Sequence, residues 1–106
     1  MRVLLICGDH PRHKFIANIL NSNKLLTSLI VEQRESFIPV LDKQYDNNIL
    51  KLHDLHFKKR EQAELEVFGD ENFTFTNYLK IKADQINSAK CHEFVLNEKP
   101  DIVITC

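Results

Sequence analysis

Long apolar runs are missing from this 106-residue chain; none approaches the roughly 20 residues that a membrane span requires. A dominant charge is missing too. Fourteen Lys and Arg stand against fifteen Asp and Glu, for a formal net charge of −1. That removes the usual footprint of a dedicated nucleic-acid binder, a pI above about 9. It also leaves no polybasic anchor for a membrane surface. Cysteine is sparse. Cys7, Cys91 and Cys106 are odd in number and form no C-x-x-C pair, so neither a structural zinc site nor a disulfide framework is indicated. Glycine is sparser, with two residues in all. A G-x-G-x-x-G dinucleotide loop is therefore excluded, and neither a G-K-[ST] P-loop nor a G-x-S-x-G nucleophile elbow occurs.

The composition that remains is 43% hydrophobic and 27% charged. These fractions are ordinary for one globular domain and too apolar for a disordered tail. A chain of this length buries roughly two-thirds of its unfolded surface, enough for one core. No internal repeat, low-complexity tract or linker divides it, so residues 1–106 are read as one unit. The short apolar stretch Val3 to Cys7 is followed at once by Asp9, His10, Arg12 and His13 and by no small-residue cleavage site. It is not a signal peptide on that pattern, and a cytoplasmic, reducing location is expected. The sequon Asn72-Phe73-Thr74 then carries no meaning, because it is a secretory signal.

Arg2 to Cys7, ended by Gly8, reads as a strand buried on both faces. Gly8-Asp9-His10-Pro11 reads as a turn, with Pro11 opening a helix. Phe15, Ile16, Ile19 and Leu20 mark that helix's apolar face. Leu25 to Val31 is a second strand, and Gln33 to Asn48 is polar loop. Ile49 to Phe68 returns to helical spacing through Leu52, Leu55, Phe57, Ala63, Val67 and Phe68, and Gly69 is its cap. Tyr78 to Ile81 is expected as a short edge strand. Ser88 or Asn87 caps a third helix running to about Asn97, with Ala89, Phe94 and Val95 inward. Pro100 ends it, and Asp101 to Cys106 is expected as a final buried strand.

This alternation predicts an α/β domain, a doubly wound parallel sheet of order 3-2-1-4 with helices on both faces. The order reverses between the first and fourth strands, and ligands bind beyond their carboxyl ends. A four-stranded sheet ending in so apolar a strand looks like half of a larger domain.

The loop at that reversal, Gly8-Asp9-His10-Pro11-Arg12-His13, holds the candidate substrate-binding residues Gly8, Asp9, His10, Arg12 and His13. Free N–H groups at a helix N-terminus favour an anion, and Arg12 or a protonated His adds charge-assisted hydrogen bonds. The alternative is that Gly8 only makes the turn and the polar side chains are solvated. Two His-x-x-His pairs, His10/His13 and His53/His56, have metal-like spacing but no evident third ligand, so no metal is expected. His56 is read as packing at the edge of its helix. Lys58 to Glu64 reads as a solvated helix face with Arg60–Glu64 support. Cys7 is read as a small buried hydrophobe.

The start Met1-Arg2-Val3-Leu4-Leu5-Ile6-Cys7-Gly8-Asp9-His10-Pro11-Arg12-His13 resembles the N-terminus of formyltransferase-family proteins. The nearest group is the methionyl-tRNA formyltransferase-like and sugar N-formyltransferase-like proteins. Leu29-Ile30-Val31-Glu32, the helix from His56-Phe57-Lys58-Lys59-Arg60-Glu61 to Phe68, and Ile86-Asn87-Ser88 leading to Lys99-Pro100-Asp101-Ile102-Val103-Ile104 are similar too. Their order and spacing follow the family along almost the whole chain, although each motif alone is weak.

The resemblance implies the N-terminal half of a Rossmann-like catalytic domain that transfers a formyl group from 10-formyltetrahydrofolate to an amine. It implies that Gly8 to His13 face the acceptor, a small-molecule amine, phosphorylated or nucleotide-linked. The family's catalytic Asn, His and Asp, and most of its folate pocket, follow the fourth strand and have no matching positions here. The chain alone is therefore expected to be inactive, with the missing C-terminal half or a second copy as its partner, and with no nucleic acid or membrane. The competing reading is a non-catalytic α/β ligand-binding or interaction module.

Overall fold

The computed structural model describes residues 1–33, 41 and 44–106. The loop reading of Gln33 to Asn48 falls mostly outside them. Seven elements follow one another: β1 (Val3–Gly8), α1 (Pro11–Ser22), β2 (Ser28–Gln33), α2 (Asn47–Phe68), β3 (Leu79–Lys82), α3 (Ala89–Glu98) and β4 (Ile102–Thr105). The four strands form one all-parallel sheet in the order β3-β2-β1-β4, as the alternation of the sequence predicts.

β1 and β2 hold the core. Leu4, Leu5, Leu29, Ile30 and Val31 are its largest fully buried side chains, each contributing roughly 2 kcal/mol on removal from water. Successive strand residues point to opposite faces. Leu5, Cys7, Leu29 and Val31 therefore pack with Ala17 of α1 on one face. Leu4, Ile30 and Ile81 pack with Cys91 of α3 on the other. Phe73, Phe75 and Tyr78 close the first cluster from the connection before β3. That connection is tied to α1 by Asn18, whose side chain donates to the Asn72 carbonyl at 2.9 Å and accepts the Thr74 N–H at 2.8 Å.

Several sequence expectations need correction. The second strand begins at Ser28 and not at Leu25. Lys24 has a positive φ of 57°, Leu25 is exposed, and the Thr27 hydroxyl accepts the Val3 N–H at 2.6 Å, so the residues before Ser28 are the turn into it. On α1 the buried residues are His13 and Ala17, with Leu20 packed beside them. Phe15, Ile16 and Ile19 are 39–46% exposed. Small Ala17 brings the helix close to the sheet and turns the bulkier residues outward. On α3, Cys91 takes the buried position expected of Ala89, which is exposed.

α2 buries no residue. Leu52 and Val67 are 66% and 73% exposed, because the helix packs on α1 and not on the sheet. Phe15 and Phe68 meet there at 5.3 Å. β4 is the largest departure. It pairs with β1 from Val3↔Ile102 to Ile6↔Thr105, yet all its residues are exposed. Within the described residues it is an edge strand of the sheet, and Ile102, Val103 and Ile104 stay 38–48% exposed. No helix among the described residues is long and apolar enough to cross a membrane.

Candidate functional site

β1 ends at Gly8, and Asp9 and His10 make the bend into α1. Gly8 thus belongs to the strand and is not the turn itself. His10 is the N-cap in extended geometry, with Pro11 in the first helical turn. Its carbonyl accepts from the N–H groups of His13 (3.0 Å) and Lys14 (3.1 Å). This bend lies where the sheet order reverses between β1 and β4, the position at which open α/β sheets bind ligands.

Gly8, Asp9, His10, Arg12 and His13 are brought together, but they do not play alike. His10 and His13 are 8% and 5% exposed, with their rings perpendicular at 5.3 Å. The His13 ring lies over Gly8 so closely that a Cβ on Gly8 would meet Nδ1 at 2.9 Å. The two histidines are thus part of the packing beneath the loop. Asp9 Oδ1 is buried with no hydrogen-bond partner among the described residues.

Arg12 does meet an anion, and that anion is internal. Its guanidinium Nη1 donates to both carboxylate oxygens of Glu64 at 2.9 Å, and its backbone N–H donates to Oε1 at 3.2 Å. A carboxylate from α2 therefore sits at the α1 N-terminus, where free N–H groups and the helix dipole favour negative charge. Burial on its own would raise the Glu64 pKa. The Arg12 N–H, charge and side-chain hydrogen bonds, helped by His10, outweigh it and hold the carboxyl below its ordinary value.

Glu64 is the residue that sequence reasoning missed. It reads as part of a solvated face supported by Arg60, but no Arg60–Glu64 ion pair forms among the described residues, and Arg12 takes it instead. A pairing across 52 residues leaves no mark in local spacing. Between α1 and α2 lies an open cleft of about 350 Å³. Arg12, Lys14 and Arg60 line it together with Asp9, Glu61 and Glu64, and Phe57 adds an apolar patch.

The remaining candidates lie elsewhere. His53 and His56 sit on α2 with their rings 4.8 and 5.0 Å from that of Phe57, and His56 is exposed. No group of three or more His, Cys, Asp or Glu able to hold a metal occurs among the described residues. Cys7 is 2% exposed. Burial first, then the Cys106 thiol and the Asp9 charge, push its pKa up to about 12, which leaves it inert as a nucleophile at neutral pH. No protein-family model matches the sequence, and no curated protein matches it either.

Proposed function

We propose that this chain is the acceptor-side portion of a 10-formyltetrahydrofolate-dependent formyltransferase, and that the cleft between α1 and α2 binds the amine to be formylated. The observation that carries the reading is the carboxylate of Glu64 at the α1 N-terminus, chelated by Arg12 beside the reversal of the sheet order. The site holds an anion already, and an acceptor bearing phosphate or carboxylate would take that place. Asp9 and Glu61, on the same cleft, are placed to attract the ammonium end. The sequence likeness, in order along almost the whole chain, supplies the reaction class.

Formyl transfer needs a base to take the amine's proton and a donor for the tetrahedral oxyanion. No residue here matches the family's catalytic Asn, His or Asp. His10 and His13 belong to a different motif and are packed beneath the loop. The residues of this chain therefore bind and orient, and none is assigned to the formyl donor. A second reading, a non-catalytic module that completes its sheet with a partner, is favoured by one observation: β4 exposes every residue and has one unpaired edge.

The test is an amide NMR titration of the labelled chain with phosphoethanolamine, and with ethanolamine and inorganic phosphate for comparison. The expected result is saturable shifts from Gly8 to Lys14 and at Glu64, largest for the phosphorylated amine. Shifts elsewhere, or none at millimolar ligand, would overturn the acceptor site.

A further inference from the structure

α2 is long and held by little. It spans 22 residues and buries none of them, and it packs on α1 and not on the sheet. Two contacts among the described residues mark that packing. The Phe15 and Phe68 rings meet at 5.3 Å, and Arg12 Nη1 donates to both carboxylate oxygens of Glu64 at 2.9 Å. The same carboxylate accepts the Arg12 N–H at 3.2 Å. α1 opens with Pro11-Arg12-His13-Lys14 and has no acid of its own in its first turn. The negative charge favoured at that terminus therefore comes from α2. One side chain fills the anion position of the cleft and also fastens α2 to α1.

Most helical stability in a folded protein comes from tertiary packing and not from propensity, so α2 depends on this fastening. An anion that takes the Arg12 guanidinium from Glu64 loosens the helix as it binds. Phosphate is suited to do so, because it pairs with the guanidinium fork as a carboxylate does and brings more charge. Lys14 and Arg60 line the same cleft and add to its attraction for the incoming dianion. Glu61 and Glu64, both on α2 and both on the cleft, then stand beside a like charge that repels them.

We propose that Glu64 is an autoinhibitory latch: it holds the α1–α2 cleft closed, and a phosphate-bearing ligand that displaces it raises the undocked population of α2. Undocking uncovers Phe57 and Leu65, which line the cleft, for the rest of the ligand. The inference rests on the reading of the cleft as an anion site and adds a conformational consequence to it. A tethered competitor has an effective concentration on the order of millimolar, so phosphate acts in that range.

The experiment follows amide shifts and amide hydrogen exchange of the folded chain across a titration with inorganic phosphate, with sodium chloride at matched ionic strength as the control. Exchange reads the undocked population even where the docked form dominates the shifts. The expected result is shifts at Gly8 to Lys14 with exchange across Asn47–Phe68 about fivefold faster, as for the loss of one partly buried ion pair, and no acceleration in β1. Glu64→Gln should show the fast α2 exchange without phosphate and no further change with it. Shifts at Gly8 to Lys14 with α2 exchange unchanged or slowed would overturn the latch and leave the anion site standing. No response at either element would overturn both. Equal acceleration by chloride, or α2 exchange in Glu64→Gln as slow as in the native chain, would show that Glu64 does not fasten the helix and would overturn the latch.

Discussion

Gly8 is required by space and not by dihedral. It sits in strand geometry, and a Cβ there would meet His13 Nδ1 at 2.9 Å and Cε1 at 3.0 Å. The His13 ring is nearly enclosed and has little room to yield. Gly8→Ala should therefore cost about 1–3 kcal/mol, as overpacking does, read as a lower urea midpoint; an unchanged midpoint would contradict the contact. Two titrations carry a pH signature. The Glu64 carboxyl is held below its ordinary value in the fold, so its contribution is present above the unfolded value and is lost as pH falls through the folded one. Glu64→Gln should remove that part of the acid loss and cost about 1 kcal/mol at neutral pH. Cys7 is raised from 9.0 to about 12, by burial foremost. Its contribution is complete below 9.0 and is lost as pH rises toward about 12. Cys7→Ala should flatten the alkaline limb of the stability profile.

Among the elements, the helices divide by what they cover. α3 is capped by Ser88, whose hydroxyl accepts the Cys91 N–H at 3.3 Å, and it seats Cys91 in the core beneath it. α2 is capped by Asp46, which accepts the Ile49 N–H at 2.9 Å, but it buries nothing. Each cap is worth about 1 kcal/mol. Ser88→Ala should lower the global unfolding free energy by that amount, whereas Asp46→Ala should speed amide exchange in α2 and leave β1 protection unchanged. Equal effects on both elements would contradict the division. This is also where sequence reading stops. Pro11, Ser88 and Gly69 mark helix ends through local chemistry and were legible. Whether Leu52 or Val67 finds a partner depends on where α2 lies relative to the sheet, and helical spacing does not encode that.

At the scale of the molecule, sheet order was legible because alternating strands and helices leave few right-handed, uncrossed topologies. The burial of β4 was not. Ile102, Val103 and Ile104 read as core and are 38–48% exposed, because composition reports what a strand prefers to contact and not what is present to contact it. The Arg12–Glu64 chelate was equally hidden, while the loop holding Arg12 was not. An apolar edge with unpaired backbone groups is a template for further pairing. Val103→Lys should reduce concentration-dependent self-association in sedimentation velocity without lowering the unfolding midpoint. Association unchanged by that substitution would place the contact elsewhere.

The most direct test of the central claim, that an external anion competes with Glu64 for Arg12, is calorimetric titration of phosphoethanolamine into the native chain, Glu64→Gln and Arg12→Ala. If the internal pair contributes about 1 kcal/mol, removing its carboxylate should tighten binding about fivefold. Losing the guanidinium should weaken it roughly tenfold or more, as expected for a charge-assisted hydrogen bond. Equal affinity across all three proteins would contradict the account.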